Sequence, residues 1–424
     1  MKICFIADIR SSIARNWIGY FPQHGYDVHV LATDLAEDTV IPGATIHGLV
    51  PAAPAKPRTA AGAEAGLSSV KFRFDPSELV GRTAFAMRSK LIRPIKCLRL
   101  RARAQKLIEA VKPDMLHALR IPIEGELGAM LGVHPFIVSI WGNDLTLHAK
   151  HSLAHRLLTR KTLRAVDGLH ADTQIDLERA RAFAPLNQVP KLCTPGCGGL
   201  KRDLFAPGHA DPELIRRLGI DPERPLVLNP RGLRQYVRQD TFLAAIPKVL
   251  AARPDVQFLA LDLRGWRRAE KWIAESGAPS ALLLAGHLSQ QEMAAVYKQA
   301  LLTVSPTEHD GTPNTMLEAM ASGCLPVCGD LPSIREWIEP GVNGLLVDPG
   351  NPDDLAKAIL TGLADGKLRE RAARRNLELI VERADYDKCM CMAEEFYHDV
   401  IGGCAAQKTA TRVEIPTSLT EERT

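Results

Sequence analysis

The sequence has no stretch that is long and apolar enough to cross a membrane as a helix. Such a helix needs about 20 consecutive apolar residues, and no run of that length occurs among the 424 residues. The N-terminal residues MKICFIADIR also lack the basic start, long apolar core and small-residue cleavage site of a secretory signal peptide. These absences predict a soluble protein of the cytoplasm.

The cysteines do not have the regular spacing of a disulfide framework. There are nine of them, an odd number, scattered along the chain, and Cys4 lies in an apolar run that predicts a buried strand. This usage is typical of a reducing compartment. The pairs Cys193/Cys197 and Cys324/Cys328 have no histidine-rich partner sequence, so we predict no metal site.

Charge of either sign is not in large excess. The chain has 53 Lys and Arg against 49 Asp and Glu, which is too even to indicate a nucleic-acid partner. The basic residues are nevertheless concentrated in the segment 71–106, where cationic and apolar positions interleave. This pattern favours peripheral contact with the inner face of a membrane, or else an ordinary exposed helix over the core.

Short apolar runs alternate with helical stretches in two successive series, which predicts an α/β fold with parallel sheets. A stretch rich in Pro and Gly separates the two series near residue 200, where we place a linker. The predicted order is an N-terminal domain at 1–200 with a mobile loop at 51–70, a second domain at 201–375, a helix at 376–403 that packs back on the first domain, and a disordered tail at 404–424.

The segment 305–323, SPTEHDGTPNTMLEAMASG, predicts a strand end, a polar loop and a helix that begins near Asn314. Asn314 or Thr315 is placed to cap this helix, and free amides at a helix start favour an anion. Gly311 permits close backbone approach. Glu318 can accept two ribose hydroxyls and Asp310 can reach sugar hydroxyls, or else both acids only cap and solvate the helix end.

The same segment resembles the donor signature of the retaining glycosyltransferases of family 4, the group 1 glycosyl transferases. In that family two acidic residues are separated by seven others, and the second opens Glu-Ala-Met-Ala. Here Asp310 is followed by GTPNTML and then by EAMA from Glu318. The first acid is more often Glu, so Asp310 is a conservative departure. The resemblance covers about 301–360 and implies the GT-B fold, with two facing Rossmann-like domains and an interdomain cleft.

The resemblance also implies roles for the residues of the segment. Glu318 would bind the nucleotide ribose, Asp310 the transferred sugar, and Thr315 with nearby amides the diphosphate. The implied catalytic residues are Asp310, Arg231 and Glu318. The full implied donor-binding set is Arg231, Arg238, Asp310, Gly311, Thr312, Asn314, Thr315 and Glu318.

Several arginines follow the apolar run PLVLN. The family usually places Arg and Lys there, five positions apart, to neutralise the donor diphosphate. Arg231 matches the first position, but Tyr236 stands at the second, so Arg234 or Arg238 must supply any second charge. The alternative is a solvated loop with ordinary surface arginines. Since no metal-binding Asp-x-Asp pattern is present where a GT-A enzyme needs one, we expect no metal requirement.

The acceptor side is expected in the first domain. Arg15, after the first strand, is a candidate there, although a plain helix start is the alternative. Many relatives have a histidine where Trp141 stands, and a Trp offers no base. Asp144 is placed to hold a hydroxyl of the acceptor or the donor, or else to stabilise a strand-end turn.

The resemblance implies a hexosyltransferase-type enzyme that moves a sugar from a nucleoside-diphosphate sugar to an acceptor with retention of configuration. It implies no cofactor, and an acceptor that is a glycan, a lipid-linked group or a small molecule, as in polysaccharide or glycolipid biosynthesis. The donor base stays open among UDP, GDP and ADP. The alternative is a GT-B nucleotide-sugar-binding protein with epimerase activity or no catalysis, because the histidine is missing at Trp141.

Overall fold

The computed structural model describes residues 1–34, 39–50 and 96–413. The predicted mobile loop at 51–70 and most of the basic segment, 71–95, lie outside these residues. The described chain forms two parallel sheets with α-helices between most successive strands, which confirms the predicted α/β class. None of the described helices is both long enough and apolar enough to cross a bilayer.

The first sheet has seven strands in the order β3-β2-β1-β4-β5-β6-β7. Its central strands read as unbroken apolar runs, and Ile3 to Ala7 in β1 are fully buried, as expected of a parallel strand covered on both faces. The strands are β1 (Lys2–Asp8), β2 (Asp27–Asp34), β3 (Ala44–Gly48), β4 (Met115–Ala118), β5 (Phe136–Ile140), β6 (Gly168–Ala171) and β7 (Lys191–Cys193). The helices are α1 (Ser12–Gln23), α2 (96–111), α3 (Glu126–Leu131), α4 (Leu153–Arg164) and α5 (Gln174–Ala180).

The second sheet has six strands in the order β10-β9-β8-β11-β12-β13. The strands are β8 (Leu226–Asn229), β9 (Gln257–Leu261), β10 (Leu282–Ala285), β11 (Leu302–Ser305), β12 (Leu325–Gly329) and β13 (Leu345–Val347). The helices are α6 (Pro212–Arg217), α7 (Gln239–Ala252), α8 (Arg267–Glu275), α9 (Gln290–Gln299), α10 (Asn314–Ala321), α11 (Pro352–Ala364), α12 (Gly366–Arg383) and α13 (Tyr386–Val413). The strand order reverses between β8 and β11, where doubly wound sheets bind their ligands.

The chain divides into two compact units. One consists of Met1–Val138 and Ala149–Asp167, and the other of Ser139–His148 and Gly168–Thr424. This division differs from the predicted boundary at residue 200, although the strands of the two sheets do fall within 1–200 and 201–375.

The C-terminal helical region differs from its prediction in two places. The segment 376–403 is not one helix, because α12 ends at Arg383 and α13 begins at Tyr386. At this break the Leu200 amide donates to the Ala384 carbonyl, and the Leu200 carbonyl accepts from the Tyr386 amide. The predicted tail at 404–424 begins too early, since α13 continues to Val413. The residues that were predicted to be disordered there include Ala, Gln, Lys and Arg, which are good helix formers. Residues 414–424 lie outside the described chain.

Candidate active site

Arg231 and Asp310 lie on loops that follow two neighbouring strands of the second sheet. Because β8 and β11 pair in parallel, their carboxyl ends meet at one edge. The guanidinium Nη2 of Arg231 lies 2.8 Å from Oδ2 of Asp310. The contact is a close ion pair rather than an aligned hydrogen bond. The structure thus brings together the predicted basic residue and the first acid of the predicted signature.

This ion pair is largely shielded from water, with side-chain exposures of 17% for Arg231 and 16% for Asp310. Burial alone lowers the pKa of the Arg231 guanidinium, but the adjacent Asp310 carboxylate outweighs it and holds that pKa above its ordinary value. Asp310 is fixed on its other side, where its Oδ1 accepts from the Gly311 amide at 3.1 Å and its carbonyl accepts from the Ser333 hydroxyl at 2.7 Å. The pair therefore presents a permanently charged guanidinium in a fixed position.

The helix that follows the signature loop begins without a side-chain cap. Asn314 or Thr315 was predicted to cap α10, but they are its first two residues, and the N-cap is Pro313, which has no side-chain acceptor. The capping prediction is therefore wrong. The hydroxyl of Thr315 is buried and has no hydrogen-bond partner among the described residues. A helix start with uncapped amides suits an anionic group.

Glu318 lies one turn into α10 and is held by a residue that the motif does not contain. Tyr297 is fully buried at the end of α9, and its hydroxyl lies 3.0 Å from Oε2 of Glu318 and 3.2 Å from the Thr315 carbonyl, so these two acceptors share its one proton. Burial raises the pKa of Glu318 to about 7, although the Tyr297 hydrogen bond and the Arg231 charge act in the opposite direction. Tyr297 gives no sequence signal of its own, since a tyrosine on the inner face of α9 is also an ordinary core residue.

Removing the Tyr297 hydroxyl is expected to shift the pH dependence of nucleotide binding. If Glu318 binds the nucleotide ribose, as the resemblance implies, its carboxylate accepts the hydroxyls better than the carboxylic acid does, so affinity for a nucleoside diphosphate should rise as the pH increases through about 7. Tyr297→Phe removes a hydrogen bond that lowers the pKa of Glu318, so this midpoint should move upward and affinity at neutral pH should fall about tenfold. Isothermal titration with UDP, GDP and ADP across a pH series measures both effects.

The matched control is Tyr397→Phe, at a second fully buried tyrosine that lies in α13. It should leave the midpoint in place. An unchanged midpoint in Tyr297→Phe would contradict the assigned hydrogen bond.

Asp172 is a second residue that the sequence reading missed. Its side chain is only 8% exposed, and its Oδ2 accepts from the amides of Gly142 at 3.2 Å and Thr312 at 3.4 Å. Burial, with the nearby Asp176 and Asp310 charges, raises the pKa of Asp172 well above its ordinary value. Its position directly after β6 was the available signal, because ligand-side residues of such sheets follow the strand ends.

The Thr312 side chain is engaged within the protein. Its hydroxyl donates to the Asp172 carbonyl at 2.5 Å and accepts from Nε1 of Trp337 at 3.0 Å. Thr312 thus fixes the conformation of the signature loop, and its predicted contact with the donor stays a prediction.

The other two arginines of the β8–α7 loop are placed differently from Arg231. Arg238 donates from Nε and Nη2 to the Asp240 carboxylate, each at 3.1 Å, and also contacts Glu308, so two carboxylates offset its charge. Arg234 is exposed and donates to its neighbouring carbonyl, that of Leu233. Among the three, Arg231 is the one that pairs with the signature acid.

The acceptor-side candidates take part in local structure. In the first compact unit, Nη1 of Arg15 donates to the carbonyls of Ile9 at 2.8 Å and Arg10 at 2.7 Å, which stabilises the loop after β1. In the second unit, the Trp141 amide donates to Oδ2 of Asp144 at 3.3 Å, and the Asp144 amide donates back to the Trp141 carbonyl at 2.9 Å. For Asp144, this geometry matches the strand-end turn given as the alternative.

Among the residues that the structure describes, no three His, Cys, Asp or Glu side chains come together as a group that could hold a metal ion.

Comparison with known proteins identifies two segments of the chain. Residues 210–378 match the sequence model of the family described as Glycosyl transferases group 1, and residues 75–173 match that of Glycosyl transferase 4-like. Residues 210–378 therefore form a domain of the group 1 glycosyl transferases. This match contains Arg231, Tyr297, Asp310 and Glu318, so the geometry described above lies in the segment that resembles the family.

One similar protein is the alpha-D-kanosaminyltransferase of Streptomyces kanamyceticus. It is 26% identical over 206 residues, which are 48% of this chain and 52% of that protein. The chain spans about half the length of the curated relatives it matches.

Two solved structures resemble this chain in fold over nearly its full length. Sucrose-phosphate synthase from Thermosynechococcus elongatus has a TM-score of 0.73 at 15% identity, covering 95% of this chain and 100% of its own. The Anabaena protein HepE, in complex with UDP-glucose, has a TM-score of 0.68 at 16% identity, covering 94% of this chain and 100% of its own. The predicted GT-B fold class is confirmed.

Proposed function

We propose that the protein transfers a hexosyl group from a nucleoside-diphosphate sugar to a hydroxyl acceptor, with retention of configuration. The observation that carries the proposal is the arrangement at the reversal of strand order in the second sheet. There the Arg231 guanidinium is paired with Asp310, and Glu318 is held by Tyr297 one turn into an uncapped helix. One edge thus offers a cation for a diphosphate and two carboxylates for hydroxyls.

In the proposed reaction, the acceptor oxygen attacks the anomeric carbon on the face from which the diphosphate departs. The bond from that carbon to the diphosphate oxygen breaks as the new glycosidic bond forms, and the acceptor proton passes to the departing diphosphate. Arg231 stabilises the negative charge that develops on this leaving group, and Asp310 and Glu318 orient the sugar and the ribose. The rate enhancement comes from orientation and electrostatics.

The finer parts of the proposal have separate support. HepE structures contain UDP and UDP-glucose, so a UDP sugar is the first donor to test. We propose that Arg231 and the α10 amides handle the leaving-group charge without a metal requirement. We also propose a cytoplasmic location, peripheral to the inner membrane face, and an acceptor that is a glycan, a lipid-linked group or a small molecule.

A thermal-shift screen of UDP, GDP and ADP sugars tests the donor site. A ligand that binds only the folded state at 100 times its dissociation constant stabilises it by about 2.7 kcal/mol. One nucleotide class should therefore raise the melting temperature by several degrees, and Glu318→Ala should abolish the rise. If no nucleotide stabilises the chain, or if Glu318→Ala responds like the unmodified protein, the donor-site assignment is wrong. Product configuration, read by NMR from the anomeric coupling, tests retention.

A catalytically silent or epimerising donor-binding protein is the second candidate. It is favoured by one observation, namely that Trp141 stands where many relatives have a histidine and that its neighbour Asp144 closes a local turn. Incubating the donor identified by the screen with and without acceptors separates the candidates. Acceptor-dependent release of nucleoside diphosphate supports transfer, whereas a changed sugar with the nucleotide intact supports epimerisation.

A further inference from the structure

The outward face of α4 in the first compact unit carries an unusual pair of exposed leucines. Leu153 is 74% exposed and Leu157 is 57% exposed, and they lie one turn apart. The helix is anchored on its opposite side by His155, Thr159 and Leu163, which are buried. Single exposed leucines are common on protein surfaces, but two adjacent ones on a well-anchored helix form a patch that suits a covering surface.

The same face is strongly cationic. Five exposed basic residues surround or extend the leucine pair, and they are Lys150, Arg156, Arg160, Lys161 and Arg164. Residues 149–166 contain no Asp or Glu. Within the described part of the chain, none of these five side chains has a hydrogen-bond or ion-pair partner. Their charges are therefore available to an external partner.

Helical geometry places these groups on one stripe. Positions i, i+4, i+7, i+8 and i+11 share a face of an α-helix. From Leu153 this series runs through Leu157 to Arg160, Lys161 and Arg164. The leucines form the N-terminal half of the stripe and the cations form the C-terminal half, with Arg156 at its edge.

We propose that this α4 face binds the surface of an anionic lipid bilayer. The leucines of this face insert at the boundary between head groups and acyl chains, and the flanking Lys and Arg side chains pair with lipid phosphates. The inference rests on the proposed peripheral location and names the surface responsible for it, but it does not depend on the proposed sugar transfer. Its residues are described ones outside the basic segment 71–106. A second copy of the chain fits less well, because two such faces in a symmetric contact would set like charges against each other. Nucleic acid would leave the leucine pair without a role.

The test is vesicle co-sedimentation with the full chain. The probes are phosphatidylcholine vesicles with and without a one-third fraction of phosphatidylglycerol. The unmodified protein should bind the anionic vesicles, and salt should weaken the binding. Arg160→Gln with Arg164→Gln should weaken it about fivefold for each charge removed. Leu153→Gln with Leu157→Gln should weaken it by at least about fivefold while leaving the charge unchanged.

The chain supplies matched controls for both variants. Leu377 and Val381 form another exposed apolar pair one turn apart, on α12, at 38% and 43% exposure. Arg253 and Arg335 are exposed arginines that are already paired with Asp255 and Asp330. Glutamine at either control pair should leave vesicle binding unchanged. All variants alter exposed side chains, so their melting temperatures should stay close to that of the unmodified protein.

Several results would overturn the proposal. They are no binding to anionic vesicles at low salt, equal loss in the control variants, or full binding by the leucine variant. A dimer in solution that the α4 substitutions dissociate would assign the face to a second copy. Tighter binding to duplex DNA than to anionic vesicles, lost in the arginine variant, would assign it to nucleic acid.

Discussion

Arg231→Ala is expected to lower kcat/KM for the nucleotide-sugar donor by about 10²–10³-fold, the usual cost of removing one group aimed at developing charge. The guanidinium is the cation that pairs with the signature acid, since two carboxylates hold Arg238 and Arg234 is exposed. Its loss also leaves Asp310, 16% exposed, without its counter-ion. The larger part of the effect should fall on kcat, because charge on the diphosphate grows as the bond to the sugar breaks.

Two further variants make this prediction specific. Arg231→Lys keeps the charge but loses the planar fork, so it should recover only part of the activity. Arg234→Ala removes an arginine from the same loop and should change kcat/KM by less than about twofold. Steady-state kinetics with the donor identified by thermal shift measures all three. If Arg234→Ala were as damaging as Arg231→Ala, the loop would act as a whole and the assignment to Arg231 would fail.

The parts of the site that the sequence predicted are those encoded by short stretches. The order of apolar run, polar loop and apolar-periodic helix at 305–323 is local, so it predicted β11, the loop and α10 with their bounds nearly right. The loop with Arg231 likewise follows directly from the strand before it. The family resemblance grouped Arg231 with Asp310, and the structure places both at the carboxyl ends of neighbouring parallel strands.

The residues that the sequence could not predict depend on contacts between distant segments. Asp172 and Thr312 are 140 positions apart, and no periodicity links them. Tyr297 reaches Glu318 from a different helix. Arg238 was predicted to face the diphosphate, but it contacts Glu308, which is 70 positions away. The local sequence around Arg238 therefore could not predict this ion pair.

The prediction for the cap of α10 failed for a local reason. Asn is a common N-cap, and Asn314 stands where the apolar periodicity begins. Pro313 has its φ fixed near the value needed just before the helix and occupies the cap position itself, which moves Asn314 into the first turn. The uncapped amides that result suit a ligand better than the predicted cap would.

Gly311→Ala is expected to be the most damaging small substitution in the signature loop. A Cβ built on Gly311 would lie 2.5 Å from both carboxylate oxygens of Asp172, far inside contact distance. The carboxylate is buried and held by the amides of Gly142 and Thr312, so it can move only by giving up those hydrogen bonds. Overpacking of this kind costs about 1–3 kcal/mol. Displacing the adjacent Asp310 by about 1 Å should also lower kcat by about 10²-fold.

The cause can be isolated with a double-mutant cycle on melting temperature and kcat. In the Asp172→Ala background the obstructing carboxylate is gone, so adding Gly311→Ala should cost less than about 0.5 kcal/mol. Gly286→Ala is the matched control, because its Cβ would meet no atom within 4 Å. A Gly311→Ala protein as stable and active as Gly286→Ala, or equally damaged with and without Asp172, would show that the carboxylate does not set the position of the signature loop. Additivity between the two sites would therefore remove Asp172 from the proposed site, whereas strong coupling would establish it as the residue that positions Asp310.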